Sequence, residues 1–313
     1  MRILFCDTSF PAARATLGRY LPDDEIVCCP QSELADHIGA AEVAIPLMAR
    51  LDAELLENAG RLRLIHQFGV GLEGVDIEAA RRRGIAVANV PSGDTGNSVS
   101  VAEWVLFLML ALARDFPSAA SAVRERRLGV PVGTVLFGKR AGVVGLGNLG
   151  RAISARLKAL GMEVWAVRRT PAPTPPEDLD FLGGPGDLGA LLEAVDFLIL
   201  AVPLTPQTRG LIGRRELARM KPTAFLINVS RGPVVDYDAL LEALENRRIA
   251  GAGLDVFWTE PPDPEDPLFR HNVIASPHIA GVTDFSYDLI AKAVADNVER
   301  LRSGRPLRHL AWS

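Results

Sequence analysis

Three short segments carry side chains suited to catalysis. Asn228-Val229-Ser230-Arg231-Gly232 supplies an arginine, Asp255-Val256-Phe257-Trp258-Thr259-Glu260-Pro261 a glutamate, and Ser276-Pro277-His278-Ile279-Ala280-Gly281 a histidine. A histidine titrates near neutrality and can pass a proton to a reacting atom. A guanidinium presents a planar fork that fits a carboxylate and stabilises charge developing on an oxygen. Taken singly, each residue has a plain structural explanation. An arginine after a strand is usually a surface charge, and Glu260, followed by Pro261 and Pro262, suits a solvated loop. Their joint occurrence is a poor coincidence. His37, His66, His271 and His309 lack such a context and read as structural or exposed.

A fourth segment is the glycine pattern Gly145-Leu146-Gly147-Asn148-Leu149-Gly150. Alone it is a weak signal. Here an apolar run, 141–144, leads into it and a helical pattern, 151–160, follows. In that context Gly145 permits the tight turn and Gly147 lets a pyrophosphate approach the backbone. Gly150 lets helix and strand pack closely, and the helix N-terminus faces the phosphate. The next strand candidate, 163–167, ends on Arg168 and Arg169, where an NAD site places an acid for the ribose hydroxyl. An acid repels a 2′-phosphate, whereas a guanidinium attracts it. NADP(H) is therefore the expected cofactor, with NAD(H) bound without an acid as the alternative.

These segments need a scaffold. Each follows a short apolar run: 140–144, 224–229, 251–255 and 273–275. Runs 163–167 and 197–202 complete six strands, as many as a full dinucleotide-binding fold uses. Ligands in open α/β sheets bind beyond the carboxyl ends of strands, so all four segments are expected at one sheet edge. Toward the N-terminus, apolar runs at 3–6, 25–29, 42–46, 62–67 and 85–89 alternate with helical patterns at 31–38, 52–59 and 77–83. Gly84 stands where a helix C-cap glycine belongs. Such alternation predicts βαβ units and parallel sheets. Residues 98–114 form a long apolar helix candidate, with Ser100 and Glu103 as a capping box and a length suited to connecting domains. Residues 170–176 and 183–189, rich in Pro and Gly, are expected to be loops. A last helix, 286–302, is expected to cross back to the first domain. The expected domains are thus 1–97 plus 286–313 and 98–285.

Composition narrows the function classes. A chain of 313 residues favours two domains, and 48% hydrophobic with 23% charged residues is globular. A net charge of −4 leaves no basic excess for a nucleic-acid backbone. The N-terminus lacks the pattern of a signal peptide, and no apolar stretch is long enough to span a bilayer. Cys6, Cys28 and Cys29 show neither disulfide nor zinc spacing, so no metal and a cytoplasmic location are expected. Of the 34 basic residues only Lys139, Lys158, Lys221 and Lys292 are lysines. Most of the arginines read as genome composition, with Arg231, Arg168 and Arg169 set apart by position.

The sequence resembles the D-isomer-specific 2-hydroxyacid dehydrogenases over nearly its whole length. Besides the segments above, the resemblance rests on Gln67-Phe68-Gly69-Val70-Gly71, Asn97-Ser98-Val99-Ser100-Val101-Ala102-Glu103 and Pro203-Leu204-Thr205-Pro206. Asp94-Thr95-Gly96 look like extra loop residues relative to the shortest family pattern. The resemblance implies two doubly wound parallel-sheet α/β domains with a cleft between them. One is a flavodoxin-like substrate domain, the other a Rossmann dinucleotide-binding domain. It implies hydride transfer between a nicotinamide cofactor and a small 2-oxo or D-2-hydroxy acid, with glyoxylate or hydroxypyruvate as the expected substrate. It implies that Arg231 holds the substrate carboxylate and carbonyl oxygen, that His278 is the proton donor, and that Glu260 pairs with His278. Val70 and Gly71 would offer backbone N–H groups to the substrate. Asn148 and Leu149 would lie on the pyrophosphate, with Val202, Pro203, Val229, Ser230, Asp255 and Gly281 also at the cofactor. Asn97 to Ser100 would lie at the cleft, and residues 98–138 would form a homodimer contact.

Two other functions compete. One is oxidation of D-3-phosphoglycerate, disfavoured because the chain stops soon after its last helix. The other is a non-enzymatic, dinucleotide-sensing corepressor-like protein, for which no basic patch speaks. Formate oxidation is disfavoured because that branch has glutamine where Glu260 stands.

Overall fold

The computed structural model describes residues 1–93, 95–171, 176 and 178–312. Asp94 and most of the 170–176 stretch expected to be a loop lie outside the described residues. The chain divides into two compact units, Met1–Asn97 with Thr283–Ser313, and Ser98–Val282.

The first unit is built on five parallel strands: β1 (Arg2–Phe5), β2 (Glu25–Cys28), β3 (Val43–Ile45), β4 (Leu64–His66) and β5 (Ala86–Ala88). Their order is β2-β1-β3-β4-β5, the flavodoxin-like order. Successive side chains of a strand point to opposite faces, and both faces are covered. Ile3, Phe5, Ile45 and Leu64 pack with Ile290, Val294 and Val298 of the helix Asp284–Ser303. Leu4, Ala44, Ile65 and Val87 pack on the other side with Leu34, Leu56 and Ala80. The helix Ala53–Glu57 is capped by Asp52, which accepts the Leu55 N–H at 3.0 Å. Asp76 caps Ile77–Arg82 in the same way through Ala79, and Gly84, at φ +69°, follows in the left-handed region. The 31–38 pattern is not one helix but a single α turn, Leu34–His37, between two 3₁₀ turns.

The second unit carries seven parallel strands: β6 (Arg140–Val144), β7 (Glu163–Val167), β8 (Phe181–Gly183), β9 (Phe197–Leu200), β10 (Phe225–Asn228), β11 (Gly251–Leu254) and β12 (Val273–Ala275). The order is β12-β11-β10-β9-β6-β7-β8. Strands β6 to β11 follow the 3-2-1-4-5-6 order of a dinucleotide-binding fold, and β12 extends it. The six-strand expectation omitted β8. Three residues long, β8 is an edge strand, and it runs into Gly183-Gly184-Pro185, which reads as a turn in sequence. The stretch 183–189 is accordingly not all loop, because the helix Leu188–Ala194 begins inside it. Alternate strand residues feed two cores, with Val144, Leu198, Leu226 and Leu254 on one face. Val143, Ile199 and Ile227 lie on the other with Val105, Leu108 and Leu112 of the helix Asn97–Ala113. That helix starts at Asn97, so Ser100 and Glu103 lie inside it and form no capping box. No helix among the described residues is long and apolar enough to cross a membrane.

Candidate active site

The glycine turn joins β6 to the helix Asn148–Ala159 at the point where the strand order reverses, with β7 on one side of β6 and β9 on the other. Ligands of open α/β sheets bind at such a point. The three glycines meet different surroundings. Gly145 has φ +99°, and a Cβ there would overlap the Ala201 carbonyl and the Val202 side chain. A Cβ at Gly150 would collide with the carbonyl oxygen of Gly145. A Cβ at Gly147 would meet nothing within 4 Å. Protein packing therefore demands glycine at 145 and 150 but not at 147, where the open space admits a ligand against the backbone. Gly147 is the N-cap of the helix and brings no side chain to its first N–H groups. Such a turn, open at a helix N-terminus, has the shape and the free N–H groups to hold a pyrophosphate. Asn148 is exposed and Leu149 half-buried there.

At the same carboxyl edge, β10, β11 and β12 lead into the three segments that carry Arg231, Glu260 and His278. His278 Nδ1 lies 2.6 Å from Glu260 Oε2, with both side chains largely shielded. The second oxygen of Glu260 accepts the Phe257 N–H at 2.9 Å. Burial pushes the Glu260 carboxyl up. The hydrogen bond and charge of His278, the Phe257 N–H and the Arg231 guanidinium outweigh that and hold it below its ordinary range. Glu260 is thus an ionised partner for an imidazole N–H.

His278 itself sits at φ +55°, a left-handed conformation that costs a residue other than glycine on the order of 1–3 kcal/mol. Its N–H is held by the carbonyls of Asp255 at 2.9 Å and Ser276 at 3.0 Å. The Asp255 carboxylate, 1% exposed, clamps the rest of the turn. It accepts from Ser276 Oγ at 2.7 Å and from the N–H groups of Ile279 and Ala280, each at 2.9 Å. Burial raises the Asp255 carboxyl, and these three donors only partly oppose it. Trp104 Nε1 donates to Ser276 Oγ at 2.8 Å, which ties the long apolar helix to the histidine turn.

The arginine turn is braced by Asn228. Its Oδ1 accepts from Ser230 N–H at 3.1 Å and Ser230 Oγ at 2.8 Å, and its Nδ2 donates to the Arg231 carbonyl at 2.9 Å. Arg231 Nη1 donates to the Ser230 carbonyl at 2.7 Å. A Cβ at Gly232 would collide with the backbone of Phe257. The arginine turn therefore lies directly against the segment that carries Glu260.

The remaining candidates are placed as follows. Val202 and Gly281 are half-buried, Pro203 is exposed, and Val229 and Ser230 are buried beside Asn228. Arg168 is half-buried and Arg169 exposed at the end of β7. Val70 and Gly71 belong to the other unit, in the turn after β4. Residue type alone does not mark Asn228, Ser276, Trp104 or Gly232 as supports of the site. An asparagine ending an apolar strand and a glycine directly after the arginine were the available signals. Nothing in the sequence pairs Trp104 with a serine 172 residues away.

Comparison with known proteins bears on the chemistry. Residues 106–280 match the family of D-isomer specific 2-hydroxyacid dehydrogenase, NAD binding domain. A glyoxylate reductase of Thermococcus gammatolerans is 39% identical over 285 residues, covering 88% of this chain and 84% of that protein. A D-3-phosphoglycerate dehydrogenase of Archaeoglobus fulgidus is 36% identical over 270 residues, covering 85% of this chain but only 50% of that protein. The NADPH-dependent glyoxylate/hydroxypyruvate reductase of Sinorhizobium meliloti, solved with NADP and malonate, superposes with a TM-score of 0.84 at 33% identity. That superposition covers 99% of this chain and 96% of the other. A glycine turn and a paired histidine and carboxylate at one sheet edge, with matches of this extent, have one reading: the chain belongs to the D-isomer-specific 2-hydroxyacid dehydrogenases, nicotinamide-dependent oxidoreductases acting on the CH–OH group of their donors.

Proposed function

We propose that this protein reduces small 2-oxo acids, glyoxylate or hydroxypyruvate, to D-2-hydroxy acids, with NADPH as the preferred reductant. The observation that carries the proposal is the 2.6 Å pair of His278 and Glu260, set at the sheet edge that also bears Arg231 and the glycine turn. A bound nicotinamide supplies the hydride. Arg231 holds the carboxylate and the carbonyl oxygen of the substrate and stabilises the charge that grows on that oxygen. His278 gives it a proton from Nε2, the ring nitrogen opposite the one on Glu260, and is left neutral. Glu260, ionised, accepts the Nδ1 hydrogen bond and keeps the ring oriented for the transfer. Val70 and Gly71 offer N–H groups to the substrate carboxylate. Asn148, Leu149, Val202, Pro203, Val229, Ser230, Asp255 and Gly281 border the cofactor, while Arg168 and Arg169 receive its 2′-phosphate. The domain that binds the cofactor is 98–285, and 1–97 with 286–313 binds the substrate.

A panel of 2-oxo acids assayed with NADPH and NADH at neutral pH tests this directly. Glyoxylate or hydroxypyruvate with NADPH is expected to give the highest kcat/KM. Failure with every 2-oxo acid, alongside NAD-dependent oxidation of D-3-phosphoglycerate, would replace the substrate. That second reading is favoured by the Archaeoglobus relative, although this chain spans about half of its length.

The second unit carries apolar side chains with no cover of their own: Val123 is 78% exposed, Leu128 95%, Val132 93% and Phe137 72%. Apolar groups this exposed and this close in sequence suit an interface between copies, and a homodimer through residues 98–138 is part of the proposal. Sedimentation of the wild type is expected to give a dimer, and the pair Leu128→Asp and Val132→Asp a monomer. A monomeric wild type would remove this element. The three cysteines are free thiols, in keeping with a cytoplasmic location.

A further inference from the structure

Gln67 follows β4 directly, and every hydrogen-bonding site of its carboxamide is used. Oε1 accepts from the N–H groups of Leu47 at 3.1 Å and Phe68 at 2.9 Å. Nε2 donates to the carbonyls of Leu47 at 2.9 Å and Gly71 at 2.7 Å. An amide has two donors and two acceptor sites, so none is left over. Leu47, which exchanges both backbone groups with this side chain, sits at φ +54°, a conformation unfavourable for a leucine. One side chain thus ties the turn after β3 to the turn after β4 and holds a disfavoured backbone.

The rest of that turn is equally directed. The Gly69 carbonyl accepts from Val90 N–H at 2.8 Å, and the Val70 carbonyl from Asn89 Nδ2 at 2.7 Å. In a trans peptide the N–H points opposite to the preceding carbonyl. With the carbonyls of Gly69 and Val70 fixed on Val90 and Asn89, the N–H groups of Val70 and Gly71 are turned away from those partners. Neither N–H has an acceptor among the described residues, and Val70 is 46% exposed. Two successive outward N–H groups make a concavity for an anion. Gln67 fixes the carbonyl of Gly71, the residue that carries the second of these N–H groups.

We infer that Gln67 is a positioning residue that sets the affinity for the substrate carboxylate, by holding the Val70 and Gly71 N–H groups in place and fixing the Leu47 turn to them. The inference rests on the proposed reduction of 2-oxo acids. Gln67→Glu is the sharpest variant. It keeps the shape and the acceptor oxygen but sets a second oxygen against the carbonyls of Leu47 and Gly71. Gln67→Met keeps the length and removes all four bonds, and it carries the test if the glutamate variant does not fold. In the full-length protein both variants are expected to raise KM for glyoxylate at least tenfold. Expected values of kcat lie within threefold of wild type, with unchanged NADPH affinity. The affinity for oxamate, measured by calorimetry with NADPH present, is expected to fall by the same factor as KM rises. Unchanged KM and oxamate affinity in a folded variant overturn the inference, as does a loss shared equally by kcat and NADPH binding. If the wild type reduces no 2-oxo acid yet binds oxamate, the substrate reading fails and the oxamate arm still decides the role of Gln67. If the wild type does not bind oxamate either, both fall.

Discussion

His278→Ala is expected to lower kcat for 2-oxo acid reduction by about 10²–10⁴-fold while NADPH still binds with wild-type affinity. The size follows from what is removed. Hydride arrival turns a carbonyl oxygen into an alkoxide, a strong base that needs a proton at the moment it forms. Water can supply one, but without the fixed geometry of a positioned imidazole. The affinity for cofactor should survive because the proposed cradle at Gly145, Gly147 and Gly150 is built from β6, the turn after β9 and a helix N-terminus, none of which contains His278. Glu260→Gln separates orientation from charge. It keeps a hydrogen-bonding group 2.6 Å from Nδ1 but removes the ionised carboxylate that Phe257 N–H, Arg231 and His278 sustain. Its kcat should fall less than that of His278→Ala, because the ring keeps a hydrogen-bonding partner at Nδ1. Stopped-flow rates and fluorescence titration of NADPH read both quantities. Near-wild-type turnover in His278→Ala removes the histidine from the mechanism.

How far the sequence announces this site depends on the range of the interactions involved. The glycine turn is local: a strand, six residues and a helix, and each glycine meets the surroundings that its position implies. Arg231, Glu260 and His278 are legible because each follows its own short apolar run, and parallel topology then brings them to one edge. What holds them there is not legible. The Asp255 carboxylate gathers Ser276, Ile279 and Ala280 from the next strand over, and Trp104 reaches Ser276 from a helix far earlier in the chain. Those partners are chosen by packing of the helix Asn97–Ala113 on the sheet, which no local pattern encodes. The same distinction explains β8. A three-residue strand derives its existence from pairing with β7, from Trp165 opposite Phe181 to Val167 opposite Gly183, rather than from its own composition. Ser100 and Glu103 show the reverse case, a good local capping signal overridden because the helix begins a turn earlier.

Arg168→Asp is expected to lower the ratio of kcat/KM for NADPH over NADH by about 10²-fold or more. Hydrogen bonds to charged groups contribute about 1.5–3 kcal/mol, and here one is replaced by repulsion between a carboxylate and a phosphate dianion. The backbone supports the role. Arg168 is the first residue beyond β7, its N–H is held by the Gly183 carbonyl at 3.1 Å, and its side chain is half-buried at the sheet edge that carries the glycine turn. Through that N–H bond β8 fixes where the guanidinium starts. Arg169 is exposed, so its charge is better screened, and Arg169→Asp should move the same ratio by a smaller factor. The aspartate at 168 should also do more than repel. At the end of the second strand an acid accepts from the ribose hydroxyls of NADH, so kcat/KM for NADH should rise in absolute terms. That rise separates a cofactor-selecting position from a merely damaged one, since a damaged fold lowers both rates together. An unchanged ratio in Arg168→Asp would mean that the chain takes NADH without an acid and that its two arginines at this strand end are surface charges.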